Sequence, residues 1–180
     1  MVKLENKLKI KKIKIGILGG SFDPAHKGHL AISKEALKKF NLRSVIWAIT
    51  IQNPFKEKSI NSLKKRITNC KKIIRTNKLI KVKFFEDIIN SNKTADLINH
   101  LSKNKKYDLF FLMGADNLIN FHKWHKWKQI LKKSKLIVFD RHGYKKKSLN
   151  SKTYKKFNEK KVTFVEFNKV NISSSQLRKI

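Results

Sequence analysis

The chain has 180 residues, about 40% of them hydrophobic, with 44 Lys and Arg against 12 Asp and Glu, a formal net charge of +32. This length suits one domain, and this apolar content supplies a core and excludes a disordered chain. The single cysteine, Cys70, excludes an internal disulfide and points to a reducing, cytoplasmic setting, and no run approaches the ~18 apolar residues of a membrane span.

The charge admits two readings. A nucleic-acid binder gathers its lysines into a patch or stripe. Here lysine runs along the whole chain beside abundant Ile and Asn. That pattern reads as compositional bias on solvated faces, with general attraction for polyanions and no specific nucleic-acid partner. Residues 1–12 are basic and lack the apolar region of a secretory signal, so they read as an extension ahead of a domain at 13–180.

In chain order, Ile13, Ile15, Ile17 and Leu18 make a buried strand. Gly19 and Gly20 then predict a tight turn that admits a ligand close to the main chain. Pro24 belongs to that turn. Residues 27–40 read as a helix ending at Asn41. Residues 44–51 form a continuous apolar run, as expected of a strand covered on both faces. A loop at 53–56 precedes a helix at 60–75, with Leu63, Ile67, Cys70 and Ile74 in one stripe. Residues 79–85 alternate like an edge strand. A helix at 93–101 leads to a second apolar strand at 107–113, which ends in Gly114 and Asp116. Helical segments follow through Trp124 and Trp127, then a strand at 136–139. Residues 145–160 read as polar and loosely structured, residues 162–167 as a last strand, and 172–178 as a short helix capped by serine. Strands alternating with helices predict an α/β fold, a single doubly wound and mostly parallel sheet with helices on both faces. Ligands in such sheets sit beyond the strands' carboxyl ends, where strand order reverses. The first strand and the strand ending at Met113 are expected to be neighbours there.

The organising stretch runs from Gly16 to Leu30. His26 and His29 lie three apart at the predicted helix start, so both imidazoles sit near one face. Three readings stand: a metal site, a pair of structural histidines, or phosphate donors. No close Cys or His completes a metal set. A glycine-rich turn, a helix start and paired imidazoles together favour phosphate. His122 and His125 repeat the spacing without a glycine turn and read as surface or packing residues. Ser173, Ser174 and Arg178 form a second phosphate-type cluster at a helix start. Asp116 suits a ribose hydroxyl. Trp124 reads either as packing or as a stacking platform for an aromatic ring.

Two stretches carry a family resemblance. Gly20-Ser21-Phe22-Asp23-Pro24-Ala25-His26-Lys27-Gly28-His29 matches the G-x-F-x-P-x-H-x-G-H signature of nucleotidyltransferases that bear the HxGH motif, which have a Rossmann-like fold. Ile172 to Arg178 matches their second signature, of the I-S-S-T-x-x-R type. Between them, Met113-Gly114-Ala115-Asp116-Asn117 with Phe121 and Trp124, Asp140-Arg141-His142-Gly143-Tyr144, Asn53-Pro54-Phe55-Lys56 and Thr94 resemble the bacterial nicotinate-nucleotide adenylyltransferase family. Phosphopantetheine adenylyltransferases share both end signatures, but the Gly114, Asp116 and Trp124 pattern argues against them. The resemblance implies adenylyl transfer from ATP to nicotinate mononucleotide, with Mg²⁺ accompanying the triphosphate and no metal held by the protein itself. By position it implies that His26 and His29 contact the reacting phosphates. It places Gly19, Ser21, Phe22, Gly28, Gly114 and Asp116 around adenosine and its phosphates, with Ser173, Ser174 and Arg178 on the outer phosphates and Lys56 adding charge at the phosphates. Asn53, Thr94, Trp124 and Arg141 fall to the mononucleotide. This chain has Asn92-Lys93-Thr94 where many members have Ser-Tyr-Thr, and Arg141-His142-Gly143-Tyr144 where they have Arg-Pro-Gly-Tyr. Nothing in the pattern assigns an oligomeric state.

Overall fold

The structure is a computed structural model, and it describes residues 11–53, 58–140 and 143–167. Expectations for the basic extension up to residue 10, for the loop at 54–57 and for the helix at 172–178 lie outside those residues.

The predicted alternation is the observed one. Strand β1 (Ile13–Gly20) leads to helix α1 (Lys27–Phe40), β2 (Ser44–Ile49), α2 (Leu63–Ile74) and β3 (Ile80–Phe84). A short α3 (Glu86–Ile89) and α4 (Thr94–Ser102) precede β4 (Tyr107–Gly114) and α5 (Ala115–Asn120). After a 3-10 turn (Phe121–Lys123) come α6 (Trp127–Lys133), β5 (Ser134–Phe139), α7 (Lys145–Leu149), α8 (Lys152–Lys161) and β6 (Val162–Val165). The sheet has six strands in the order β3-β2-β1-β4-β5-β6. Every strand pair is parallel. The order reverses between β1 and β4, where Ile17 pairs with Phe111 and Leu18 with Leu112. The expected adjacency therefore holds, and it opens the crevice at this switch point.

The side-chain alternation of β1 divides the core. Ile15 and Ile17 join Leu109, Phe111 and Met113 under α4, α5 and α6. Leu18 and Leu112 face the other way, with Val45, Trp47 and Cys70 under α1 and α2. Helix α1 ends where expected: Asn41 adopts the left-handed conformation at φ 50 and its N–H bonds to Leu37.

Two expectations are corrected. Residues 145–160 are not loose: they form α7 and most of α8. Ser148, Ser151 and Thr153 are buried, and Tyr154 and Phe157 pack on the core. Phe157 meets Trp127 edge to face at 5.6 Å. The Ser151 hydroxyl accepts from the Tyr154 N–H and caps α8. A narrow apolar stripe among lysines suffices here because the lysines need only stay wet. The second correction concerns the glycine turn. Gly19 and Gly20 are the last residues of β1, and the left-handed residue beyond them is Phe22, at φ 50.

Gly16 leaves no room for a side chain. A Cβ there would sit 2.9 Å from both Leu42 Cδ1 and Val45 Cγ2. Gly16→Val is expected to lower the unfolding free energy by about 1–3 kcal/mol, the usual cost of overpacking. Denaturant titration measures it, and an unchanged midpoint would contradict this packing.

Candidate active site

The site grows from the junction of β1 and α1. His26 is the N-cap of α1, in extended backbone, and His29 is its third helical residue. The Gly28 N–H donates to His26 Nδ1 at 3.1 Å. The His26 N–H donates to His29 Nδ1 at 3.2 Å. This is a reciprocal cap in which imidazoles replace the usual hydroxyl and carboxylate. An accepting Nδ1 carries no proton, so each neutral ring has its N–H at Nε2. The rings lie 3.8 Å apart between centroids. The structural reading of the pair holds at Nδ1, which caps the helix, and it leaves the phosphate reading open, since a neutral ring then carries its proton on Nε2.

Buried contacts hold this geometry. The Phe22 ring stacks on Trp47 at 5.0 Å and lies 4.8 Å from His29. That burial offsets the cost of a left-handed phenylalanine. Trp47 Nε1–H donates to the Ser33 hydroxyl, and Ser33 donates to the His29 carbonyl, both at 2.8 Å. Sheet and helix are joined through this hydrogen-bonded chain.

Two adjoining cavities open at the switch point. The smaller, about 90 Å³, lies against Gly19, Ser21, Phe22, His26, Gly28 and His29. Its far side is Gly114, Asp116, Asn117 and Asp140. The larger, about 390 Å³, is of ligand-pocket size. It carries Asn53, Thr94, Lys93, Lys123, His125 and Glu86. Gly19, Gly20, Asn53, Phe111 and Trp124 line both, so the cavities share a wall.

The expected site residues therefore assemble as two groups. Gly19, Ser21, Phe22, His26, Gly28, His29, Gly114 and Asp116 meet at the smaller cavity, and Asn53, Thr94 and Trp124 at the larger. Lys56, Arg141, Ser173, Ser174 and Arg178 lie outside the described residues. Trp124 packs, as one of its two readings expected, and its position leaves the stacking reading open. Its ring packs near Phe111 at 6.1 Å and Phe121 at 5.2 Å, and it also lines each cavity. His125 is exposed, as the surface reading expected, and it also lines the larger cavity. His122 is half-buried outside both linings, as a packing residue should be. Among the described residues, no three His, Cys, Asp or Glu side chains gather as a metal set.

Sequence reasoning missed Glu86, Lys93, Lys123, Asp140 and Arg66. A lysine or carboxylate at a loop mouth has no periodic signature. Arg66 has one: it falls on the face of Leu63, Ile67 and Cys70, where a charge is unexpected.

The cytidylyltransferase-like family model matches residues 17–180. A Pelagibacter ubique (strain HTCC1062) protein named "Probable nicotinate-nucleotide adenylyltransferase" is 64% identical over 180 residues, all of both chains. The chain belongs to the nicotinate-nucleotide adenylyltransferase family. An Agrobacterium fabrum (strain C58 / ATCC 33970) member of the same name is 34% identical over 82% of this chain and 80% of its own. Two structures of Plasmodium falciparum nicotinic acid mononucleotide adenylyltransferase share the fold. The complex with NaAD has a TM-score of 0.73 at 21% identity, and that with APC 0.75 at 22%. Each comparison covers 92% of this chain and 82% of the other.

In this family member the turn between β1 and α1 also contains a buried charge. Burial pushes the Asp23 carboxyl up. The Asn61 side chain, the N–H groups of Ile60 and Asn61, and the Arg66 charge outweigh it and hold the carboxyl below its usual value. A carboxylate lowered on folding stabilises above its unfolded pKa, and that stability is lost as pH falls through the lowered folded value. Asp23→Asn is expected to cost roughly 2 kcal/mol at neutral pH, on the scale of hydrogen bonds to charged groups. It is also expected to flatten the acid decline of stability. Parallel pH–stability curves for the two proteins would contradict the assignment.

Proposed function

We propose that the chain transfers the adenylyl group of ATP to the phosphate of nicotinate mononucleotide. An acceptor phosphate oxygen bonds to the α-phosphorus. The bond from that phosphorus to the bridging oxygen breaks, and pyrophosphate leaves with the electron pair. The dinucleotide product is nicotinate adenine dinucleotide. The observation that carries this reading is the His26–His29 pair on the wall of the smaller of two joined cavities, beside the wall they share. A reaction between two nucleotides needs their phosphates to meet at such a boundary.

The acceptor phosphate is already ionised, so the chemistry needs no general base. It needs alignment and donors placed where charge develops. The Nε2–H groups of His26 and His29, with the positive end of α1, supply those donors. Gly19, Ser21, Phe22 and Gly28 would accommodate the adenosine and its phosphates, with Gly114 and Asp116 toward adenine and ribose. Ser173, Ser174 and Arg178 are assigned to the outer phosphates, and Lys56 to added charge at the phosphates, on their sequence positions alone. Mg²⁺ would arrive on the triphosphate as part of the substrate, which suits a site with scattered rather than clustered carboxylates among its described residues.

The larger cavity suits the mononucleotide. Trp124 offers an aromatic platform, and Asn53 lines the boundary. Arg141 belongs to this half by sequence position. Lys93 gives α4 no side-chain cap, so the first N–H groups of that helix, beside Thr94, suit an anion. Lys93, Lys123 and His125 add polar, basic character. These groups favour a carboxylate on the pyridine ring over an amide.

Pyrophosphate release with ATP, Mg²⁺ and each acceptor tests this reading. Nicotinate mononucleotide is expected to exceed nicotinamide mononucleotide in kcat/KM by at least ~10-fold, about 1.4 kcal/mol. Turnover confined to phosphopantetheine, or none at all, would overturn the proposal. His29→Ala is expected to lower kcat by ~10²–10³-fold, the scale of a lost oxyanion donor. Near-normal kcat in the folded variant would remove His29 from the mechanism.

A further inference from the structure

The side chain of Arg66 lines neither cavity, yet it holds walls of both. It is 2% exposed, on the inward face of α2. Its Nη1 donates to the carbonyls of Ser21 and Thr50, each at 2.7 Å. Its Nη2 donates to the Ile51 carbonyl at 3.1 Å, and its Nε to the Asn61 carbonyl at 3.1 Å. None of these acceptors is a side chain. All four are main-chain carbonyls outside helices and strands, in three segments: the turn after β1, the stretch after β2, and the lead into α2.

Asp23 ties two of the same segments. Its Oδ2 accepts from the N–H groups of Ile60 at 2.6 Å and Asn61 at 3.3 Å, and its Oδ1 accepts from Asn61 Nδ2 at 2.6 Å. Asp23 is fully buried and its charge opposes that of Arg66. The connection continues beyond Arg66. The Thr50 N–H bonds to the Gly20 carbonyl at 3.0 Å. The Thr50 hydroxyl donates to Glu86, which also accepts from the Ile51 N–H at 3.2 Å. A hydrogen-bonded strap thus runs from Ser21, at the smaller cavity, to Thr50 and Glu86, at the larger.

We infer that Arg66 is a positioning residue that sets the spacing between the phosphate turn and the wall of the second cavity. This inference rests on the proposed two-nucleotide reaction. Arg66 cannot itself touch a substrate, because its guanidinium is enclosed by the carbonyls it serves. Loops carry their main-chain groups without a ladder to fix them, so a buried planar fork with five donors can fix three such segments at once. Lysine keeps the charge but replaces the fork with a compact ammonium, which cannot span these acceptors. A reaction that depends on alignment is sensitive to shifts of about 1 Å, a scale on which rates fall by up to ~10²-fold.

The test is steady-state kinetics of Arg66→Lys and Asn61→Ala with ATP and nicotinate mononucleotide, beside thermal unfolding. In Arg66→Lys we expect kcat to fall ~10–100-fold while both KM values move less than ~3-fold, as for a site still formed but out of register. Asn61→Ala removes the side-chain donor to Asp23 and leaves the carbonyl that Arg66 uses. It is expected to lower kcat several-fold with the same split. A folded Arg66→Lys with parental kcat and a lower melting temperature would make Arg66 merely structural and overturn the inference. If Arg66→Lys does not fold, parental kcat in Asn61→Ala does so alone. An inactive parent would instead count against the proposed reaction.

Discussion

The structure depends on how α1 begins. A helix start leaves several N–H groups without partners, and most chains satisfy them with a hydroxyl or carboxylate. Here two imidazoles do so, each accepting at Nδ1. The exchange fixes both tautomers, and Phe22 and Trp47 pack against the His29 ring. It also turns a capping device into a pair of donors at the positive end of a helix. An Asp or Glu in these positions would cap as well and would repel a phosphate.

Everything around this start serves to place it. The reversal of strand order between β1 and β4 leaves space beyond Gly20 and Gly114, because the following helices depart to opposite faces. Phe22 and Trp47 support His29 from below, and Ser33 ties it to β2. Arg66 and Asp23 then fix the turn against the stretch that leads to the larger cavity. The protein supplies little chemistry and much alignment, which suits a reaction whose nucleophile arrives already charged.

Much of this was legible in the sequence because single residues carried it. Residues 44–51 and 107–113 are largely apolar without alternation, and they hold β2, which ends at Ile49, and most of β4, each flanked by a neighbour on both sides. Asn41 marked the end of α1, and His26 with Gly28 and His29 marked its start. What was hidden has physical causes. Residues 145–160 form helices on the strength of Tyr154, Phe157 and a few buried small polar residues, too narrow a stripe to stand out among lysines. Phe22 takes the left-handed turn position that glycine would fill elsewhere, because its ring has Trp47 to stack on. Among the described residues Arg66 donates to main-chain carbonyls, which leave no residue-type signature at the other end. His125 reaches the larger cavity through the path of the chain after the 3-10 turn, which spacing does not encode.

The central claim is that His26 and His29 present Nε2–H because Nδ1 is engaged by the helix start. Long-range proton–nitrogen NMR of the imidazoles at neutral pH measures it directly. The account predicts both rings as Nε2–H tautomers with hydrogen-bonded, unprotonated Nδ1. A proton on Nδ1 of either ring in the folded protein would contradict it.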